Sequence, residues 1–350
     1  MEGQDRKNSH LTICLEEQVE YPSGDANGFG LYRFDHDALP EISKKDVNLE
    51  TVLFGKRLAA PLLVGAMTGG TDRAGEINRR LALAAEKCQV GFALGSQRKM
   101  IENPATRASY AVREHAPKLP LLIGNVGAVQ LNYGVGLKEL KQLIDGIGCD
   151  AFNFHLNPLQ EAIQPEGDTD FTGLIAKLSE LIPQMGVPVI LKEVGSGISE
   201  TTATKIKKLP ISAIETAGVG GTSWSKIESL RTSNSIQRST GELFARWGIP
   251  TAESVQICRK TLPHLTVIAS GGMRNGIEVA KAMALGADAV ALALPFLKAA
   301  EKSVEAAIEA IESVIEELRT AMFVTGCRSV EDLKKKQLKR LRDYTAAGQS

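Results

Sequence analysis

The sequence predicts an α/β fold, a closed TIM (β/α)8 barrel with an N-terminal extension. Short apolar runs and longer amphipathic stretches alternate eight times along the chain, which is the order that parallel strands and their covering helices require. Nearly every apolar run is followed by a loop rich in glycine or polar residues, whereas the opposite ends carry proline, alanine and short turns. A barrel whose active site is built on the loops after its strands shows this asymmetry.

The predicted strands are short and rich in β-branched or aliphatic residues, which is typical of strands that are buried on both faces. They cover residues 61–66, 90–94, 120–124, 151–155, 188–192, 211–215, 265–269 and 288–293. Helical patterns follow them over residues 72–88, 103–116, 136–147, 172–186, 199–209, 251–262, 275–285 and 297–320. A doubly wound open sheet is the competing fold, and it would gather its ligand groups at one switch point instead of over many loops.

Residues 59–345 form the predicted barrel, and residues 1–58 form an N-terminal arm and barrel-capping segment. The arm contains Arg6-Lys7-Asn8-Ser9-His10, a run with three basic side chains and no hydrophobic anchor. Composition alone predicts that such a segment is a solvated tail. The alternative is an arm that folds over the site when a polyanionic ligand binds.

Composition and charge exclude several classes of protein. A hydrophobic content of 43% in 350 residues supports a large core. Lys plus Arg and Asp plus Glu both number 41, so we expect no general attraction to nucleic acid or to an anionic membrane. The five cysteines are widely spaced and form no Cys-x-x-Cys, and the first 17 residues lack an apolar signal core. These features predict a soluble cytoplasmic protein without a disulfide framework.

The segment His155-Leu156-Asn157-Pro158-Leu159-Gln160-Glu161 is the strongest candidate for site chemistry. It directly follows the fourth predicted strand and combines an imidazole, two amides and a carboxylate within seven residues. Four hydrogen-bonding or metal-binding functions on one short loop indicate a ligand site. The alternative is a polar connection with no role.

Two glycine-rich loops, at residues 218–224 and 271–276, predict a phosphate site. Glycine lets backbone N–H groups approach an anion closely, and the second loop runs directly into a predicted helix, whose N-terminus favours negative charge. The loops follow the predicted sixth and seventh strands, which is the usual place for a phosphate site in such barrels. Glycines that only permit turns are the alternative.

Cationic side chains stand at the same predicted ends of the strands. Lys192 ends an otherwise apolar strand and therefore requires an anionic partner, unless it extends into solvent. Arg98 and Ser96 follow the second strand and suit an anion on the same face. Trp224 either plugs the barrel mouth or covers a planar or olefinic ligand.

Together these motifs resemble the type 2, flavin-dependent isopentenyl diphosphate isomerases over most of the chain. The resemblance rests on Arg6-Lys7 with His10-Leu11, Ala66-Met67-Thr68-Gly69-Gly70, Gly95-Ser96-Gln97-Arg98, Gly124-Asn125-Val126-Gly127-Ala128, the segment 155–161, Lys192-Glu193-Val194-Gly195, Gly220-Gly221-Thr222-Ser223-Trp224, Trp247-Gly248-Ile249-Pro250-Thr251 and Ser270-Gly271-Gly272-Met273-Arg274. One departure is Glu215-Thr216, where the family pattern carries Asp followed by an aliphatic residue.

The resemblance implies a barrel that binds FMN, with NAD(P)H as the reductant. The residues that it assigns to the cofactor are Ala66, Met67, Thr68, Ser96, Asn125, Lys192, Thr222, Gly271, Gly272, Arg274, Ala293 and Leu294. Lys192 would face the pyrimidine edge of the ring, where anionic reduced flavin carries its charge, and would stabilise that state.

The resemblance also implies an allylic or homoallylic diphosphate as the substrate, and Mg²⁺ bound by Glu161. The residues that it assigns to the substrate are Arg6, Lys7, Ser96, Arg98, His155, Asn157, Gln160 and Trp224. Its catalytic set is Gln160, Lys192 and His155. The reaction, isopentenyl to dimethylallyl diphosphate and back, adds one proton and removes another. An amide is a poor general acid, so we expect the flavin to be the acid–base group and Gln160 to be an accessory.

Two other functions remain open at this stage. An FMN-dependent hydroxy-acid oxidase or dehydrogenase would need a histidine base and an arginine clamp after the late strands, and the loop after strand seven offers Arg274 without a nearby histidine. A non-catalytic sensor of a phosphate ligand would not require Lys192, Gln160 and Glu161 to meet. The exposed helices of a barrel also predict a homo-oligomer, a tetramer or an octamer.

Overall fold

The barrel that the sequence predicts is present. The computed structural model describes residues 2–21 and 26–341, with side chains from Lys7 onward. Eight parallel strands close into one barrel, with the last strand bonded to the first. The strands are Leu62–Val64, Gly91–Ala93, Leu122–Gly127, Ala151–Leu156, Val189–Glu193, Ala213–Glu215, Thr266–Ser270 and Ala289–Leu292. Each overlaps a predicted strand, so the fold class is confirmed.

The strands divide the barrel interior into an apolar floor and a polar rim. Side chains on a strand alternate between its two faces, so Ile190 and Lys192 point the same way. Ile190 belongs to the buried cluster inside the barrel. Lys192 lies one layer higher, where its register partners are His155 on one side and Glu215 on the other. The polar groups thus gather at the carboxyl ends of the strands.

Helices surround the barrel. Those that match the predicted helices are Asp72–Cys88, Leu137–Ile147, Leu174–Leu181, Glu200–Ile206, Thr251–Thr261, Gly276–Ala284, Leu294–Lys302 and Val304–Phe323. Four of them, Asp72–Cys88, Leu137–Ile147, Thr251–Thr261 and Gly276–Ala284, contact barrel strands directly, and Val304–Phe323 packs on the outer side against the helices Asp72–Cys88, Gly276–Ala284 and Leu294–Lys302. The first of them begins at the predicted residue because the Thr71 side chain accepts a hydrogen bond from Ala74 N and caps the helix.

Two predicted helices are corrected by the structure. Residues 103–116 do not form one α-helix but two 3₁₀ segments, Pro104–Ser109 and Val112–Glu114. Pro104 disfavours the helical conformation of Asn103, and the Asn103 side chain accepts from Ala105 N as a new cap. The predicted helix 297–320 is two helices, because Ser303 caps the second of them through Ala306 N.

The N-terminal segment is not the solvated tail that composition predicts. Residues Glu2–Glu16 form a helix that packs against the helices Asp72–Cys88, Trp224–Arg231 and Leu294–Lys302. Leu11 and Cys14 are only 3% and 8% exposed and join the main core. The apolar anchors, Leu11 and Cys14, come after the basic run at residues 6–10. The composition of the basic run therefore did not reveal them.

A short hairpin closes the amino end of the barrel. Its strands, Thr51–Leu53 and Lys56–Leu58, pair antiparallel, and Leu53 and Leu58 join the apolar cluster inside the barrel. The division of the chain at residues 58 and 59 stays a prediction. The helices Pro158–Ile163, Trp224–Arg231 and Ser235–Leu243 were not predicted. Within residues 2–21 and 26–341, no helix has the length and apolarity to cross a membrane.

Candidate active site

A large cavity opens at the carboxyl ends of the barrel strands. Its empty volume is about 1630 Å³, which includes space open to solvent. The predicted site residues that line it are Lys7, Ala66, Met67, Thr68, Ser96, Arg98, Asn125, His155, Asn157, Gln160, Glu161, Lys192, Thr222, Trp224, Gly271, Gly272, Arg274, Ala293 and Leu294. The side chain of Arg6, which was also predicted, lies outside the described residues.

The segment after the fourth strand presents its polar groups on one helical turn. The helix Pro158–Ile163 begins with proline, whose fixed φ suits a first helical position. Asn157 Nδ2 donates to Gln160 Oε1 at 3.1 Å and to Glu161 Oε1 at 2.8 Å. Asn157 and Glu161 are 2% and 7% exposed. The two amides and the carboxylate are therefore held together at the cavity wall.

His155 is neutral in this arrangement. Its Nδ1 lies 2.9 Å from Asn125 Oδ1. Asn125 Nδ2 already donates to Leu94 O, so Oδ1 is the accepting end and His155 Nδ1 carries the proton. Burial, together with the smaller effects of the ammonium groups of Lys192 and Lys7, lowers the pKa of His155 to about 3. The free ring nitrogen is thus an acceptor until an anion arrives.

Lys192 has the anionic partner that the sequence requires. The residue is 6% exposed, and its Nζ lies 3.6 Å from Glu215 Oε1. The same ammonium donates to Glu193 O at 2.7 Å. The alternative of a lysine extended into solvent is therefore wrong.

Arg98 is held by two carboxylates at the cavity rim. Its Nη1 lies 2.6 Å from Asp168 Oδ2, and its Nε lies 2.7 Å from Glu102 Oε1. Asp168 also accepts from Gln130 Nε2, and its backbone N–H donates to Glu161 Oε2. The sequence reasoning missed Asp168, because it lies in a loop with no motif. An anion that binds Arg98 must therefore compete with Asp168.

The N-terminal helix brings a cation into the same cavity. Lys7 Nζ donates to the backbone oxygen of Ser96 at 3.3 Å. The Tyr110 hydroxyl donates to the same oxygen at 2.8 Å. Lys7 and the loop after the second strand are thus in direct contact, although almost ninety residues separate them in the sequence.

The two glycine-rich loops meet backbone to backbone. Gly271 has φ +114°, and a Cβ there would lie 2.2 Å from Gly218 O. Gly272 has φ +76°, and a Cβ there would lie 2.2 Å from Gly220 C. Only glycine fits both the conformation and the space. The loops after the sixth and seventh strands are therefore packed tightly against each other, and glycines of both line the cavity.

Curated proteins resemble this chain over nearly its whole length. An isopentenyl-diphosphate delta-isomerase from Nostoc sp. is 48% identical over 331 residues, which cover 95% of this chain and 94% of that protein. One from Rickettsia bellii is 44% identical over 334 residues, which cover 95% of this chain and 97% of that protein. The chain belongs to the isopentenyl-diphosphate delta-isomerase family.

A second comparison relates this chain to FMN-dependent proteins. Residues 166–340 match the family described as FMN-dependent dehydrogenase. Among solved structures, a mandelate oxidase has a TM-score of 0.66 at 19% identity, covering 94% of this chain and 95% of that chain. A lactate oxidase of Pediococcus acidilactici has a TM-score of 0.72 at 16% identity, covering 97% and 93%. At such identities these two structures show the barrel fold alone.

The residues of the isomerase-family cavity fit FMN. Gly271 and Gly272 line the cavity without side chains, and such glycines let backbone N–H groups approach a phosphate closely. Nearby, the guanidinium of Arg274 pairs with Glu20, and Lys298 Nζ lies 3.7 Å from that carboxylate. Lys192 supplies a buried positive group on the cavity floor. Phosphate and ring thus each have suitable partners.

Glu228 is a residue of the isomerase site that sequence reasoning missed. It is completely buried, its Oε1 accepts from Gln160 Nε2 at 3.1 Å, and it lies 2.9 Å from His10 Nε2. Burial raises the pKa of Glu228, but the contact with His10 and the charge of Arg231 outweigh burial and hold the pKa below its usual value. The available signal was its position one helical turn after Trp224.

A cysteine also lines the cavity. Cys14 lies on the N-terminal helix, and burial raises the pKa of its thiol to about 12. The thiol therefore stays protonated at neutral pH and is a poor nucleophile or base. In this part of the site, the acid–base work must fall to other groups.

Proposed function

We propose that this protein interconverts isopentenyl and dimethylallyl diphosphate, with reduced FMN and Mg²⁺ as cofactors. One observation carries the proposal: a cavity joins a glycine-lined phosphate loop and the buried Lys192 to the polar segment that contains Gln160 and Glu161. FMN and a diphosphate can therefore lie side by side in it. The identities of 43–49% to named isomerases support the same reaction.

FMN would be held by the residues that the resemblance assigns to it. We assign its phosphate to Gly271, Gly272 and Arg274, together with the loop at Ala293 and Leu294. We assign its ring to the residues 66–68, Ser96, Asn125, Lys192 and Thr222. When bound and reduced, the cofactor supplies an electron-rich ring that exchanges a proton and stabilises positive charge on the substrate. The contribution of Lys192 is a fixed positive charge at the ring edge.

The diphosphate would be bound by cations from the N-terminal helix and from the segment after the second strand. We assign Arg6, Lys7 and Arg98 to its oxygens, with His155 and Ser96 donating hydrogen bonds. Both hydrogens of Asn157 Nδ2 are already donated to Gln160 and Glu161, so Asn157 would act on the diphosphate only through the metal ion. An incoming anion offsets the burial that keeps His155 neutral, so the imidazole would gain a proton when the substrate binds. Asp168 would then give up Arg98 to the substrate.

Mg²⁺ would be bound at Glu161. Within residues 2–21 and 26–341, no group of three or more His, Cys, Asp or Glu side chains could hold a metal ion, so the ion would complete its shell with diphosphate oxygens and water, as Mg²⁺ commonly does. Asn157 Oδ1 is buried without a hydrogen-bond partner among the described residues. Because a carbonyl oxygen only accepts, we assign it to the ion or to one of its waters, and not to a phosphate oxygen.

Gln160 would orient the reacting carbons and not deliver the proton itself. Its Oε1 accepts from Asn157 and its Nε2 donates to Glu228, so the amide has one defined orientation. An amide is a poor acid at neutral pH. Trp224 and Leu11 line the same cavity and would exclude water from the olefin.

Three further points belong to the proposal. NAD(P)H would reduce the flavin, since the reaction itself supplies no electrons. The protein would work in the cytoplasm, in keeping with free cysteines that are all buried. It would assemble as a homo-oligomer, a tetramer or an octamer.

An anaerobic assay tests this function. The protein is incubated with isopentenyl diphosphate, Mg²⁺ and reduced FMN, and the products are separated. Dimethylallyl diphosphate is expected. Lactate and mandelate serve as controls for the hydroxy-acid oxidase reaction, and neither should reduce the bound flavin. That reaction needs a histidine base after the late strands, and His264 instead precedes the strand Thr266–Ser270 at the opposite end of the barrel. Flavin reduction by either acid, without isomerisation, would overturn the proposal.

A further inference from the structure

A buried ion pair lies on the floor of the cavity. Lys192 and Glu215 are register partners on neighbouring strands, and Nζ lies 3.6 Å from Oε1. The two residues are 6% and 4% exposed, and both line the cavity. Side chains so little exposed are hardly screened by salt, so the charge of each acts strongly on any group bound beside it.

Glu215 has an anchor of its own. The Ser270 hydroxyl donates to Glu215 Oε1 at 2.8 Å, and it accepts from the backbone N–H of Ala217 at 3.0 Å. The carboxylate is thus tied to the next strand and the next loop, and its position does not depend on Lys192. Since Lys192 also donates to Glu193 O, both members of the pair are fixed when a ligand arrives.

We propose that Glu215 is a positioning residue that partly neutralises Lys192 and thereby lowers the reduction potential of the bound flavin. Reduced FMN carries negative charge at its pyrimidine edge, and a positive neighbour favours that state. A carboxylate beside the lysine offsets part of this effect. The inference rests on the proposed function only in requiring FMN in this cavity.

The test is the midpoint potential of FMN bound to the wild-type protein, to Glu215→Gln and to Glu215→Asp. Glu215→Gln removes the negative charge, so the midpoint potential of FMN bound to this variant should rise by at least about 30 mV. This rise corresponds to a tenfold change in the equilibrium constant of the two-electron reduction. Glu215→Asp keeps the charge but draws it back from Lys192, so its potential should lie between the other two. If Glu215→Gln does not fold, the comparison of Glu215→Asp with the wild-type protein tests the inference by itself.

Asp288→Asn is the matched control. Asp288 is also a carboxylate paired with cations, Arg259 and Lys334, but it precedes the strand Ala289–Leu292 at the far end of the barrel. The midpoint potential of FMN bound to Asp288→Asn should equal that of FMN bound to the wild-type protein. An unchanged potential in an FMN-bound Glu215 variant, or an equal rise in Asp288→Asn, would overturn the inference. Failure of the wild-type protein to bind FMN would instead overturn the proposed function.

Discussion

At the scale of single residues, the orientation of Gln160 is the most informative detail. The two ends of an amide look alike, and only their partners tell them apart. Here Oε1 faces a donor on Asn157, and Nε2 faces an acceptor on Glu228. The fully buried carboxylate of Glu228 therefore fixes the orientation of the Gln160 amide.

Glu228→Gln should lower kcat more than it raises KM. The substitution replaces a charged acceptor of the Gln160 hydrogen bond by an amide that can present either end. Hydrogen bonds to charged groups contribute about 1.5–3 kcal/mol, so we expect kcat to fall roughly 10- to 100-fold. Steady-state kinetics with isopentenyl diphosphate measure this split.

Glu166→Gln is the control for that variant. Glu166 shares Arg231 with Glu228 and its side chain is 47% exposed, whereas the Gln160 amide donates to Glu228. We expect its kcat to stay near that of the wild type. An equal loss in both variants would mean that the ion pair with Arg231 matters and the orientation of Gln160 does not.

Glu161→Gln should weaken the dependence on Mg²⁺ without affecting the flavin. The carboxylate is assigned to the ion, so the apparent affinity for Mg²⁺ in the assay should fall at least about tenfold. FMN affinity, measured by quenching of flavin fluorescence, should change less than about twofold. Equal losses of both affinities would show that Glu161 has a structural role through Asp168 N and Asn157.

His155 should make stability depend on pH. Its pKa falls from 6.5 to about 3 on folding, so between these values the unfolded chain binds a proton that the folded protein does not. Stability must then rise with pH across that window, by up to about 1.4 kcal/mol per unit. Urea unfolding of apoprotein at pH 5.5 and 7.5 should show a smaller difference in His155→Asn. An unchanged difference would contradict the neutral imidazole.

At the scale of elements, the N-terminal helix combines a functional half with a structural half. Arg6→Ala with Lys7→Ala should lower kcat/KM by about 10²-fold or more, because charged contacts to the diphosphate are lost. FMN affinity and melting temperature should barely change. Leu11 is 3% exposed, so Leu11→Ala should cost about 2–5 kcal/mol of stability. Full activity of the double variant, or a melting temperature lowered by several degrees, would contradict this division.

The elements also show what the sequence could predict. Strands that are buried on both faces form continuous apolar runs, and for that reason all eight were found. The helix Trp224–Arg231 was missed, because four of its eight residues are buried polar or apolar side chains without a clear amphipathic pattern. Asp168 was missed for another reason: its partners Arg98 and Gln130 lie far along the chain, and no local spacing shows them. Glu228 had only one local signal, its position one helical turn after Trp224.

At the scale of the whole molecule, the closed barrel explains why distant motifs form one site. Parallel strands place all their carboxyl ends on one face, so residues from Lys7 to Leu297 line one cavity. The chain is neutral overall, yet this cavity gathers Lys7, Arg98 and Lys192. These side chains supply the positive charge that a diphosphate requires within the cavity, and the chain as a whole can remain neutral.

The measurement that tests the account most directly is the ratio of reductant consumed to product formed. Double-bond migration exchanges no net electrons, so anaerobic protein with reduced FMN and Mg²⁺ should turn over many molecules of isopentenyl diphosphate after a single reduction. Absorbance at 340 nm, followed together with product analysis, gives NAD(P)H oxidised per dimethylallyl diphosphate formed. The account predicts a ratio that falls towards zero as turnover proceeds. A constant ratio of one would contradict it.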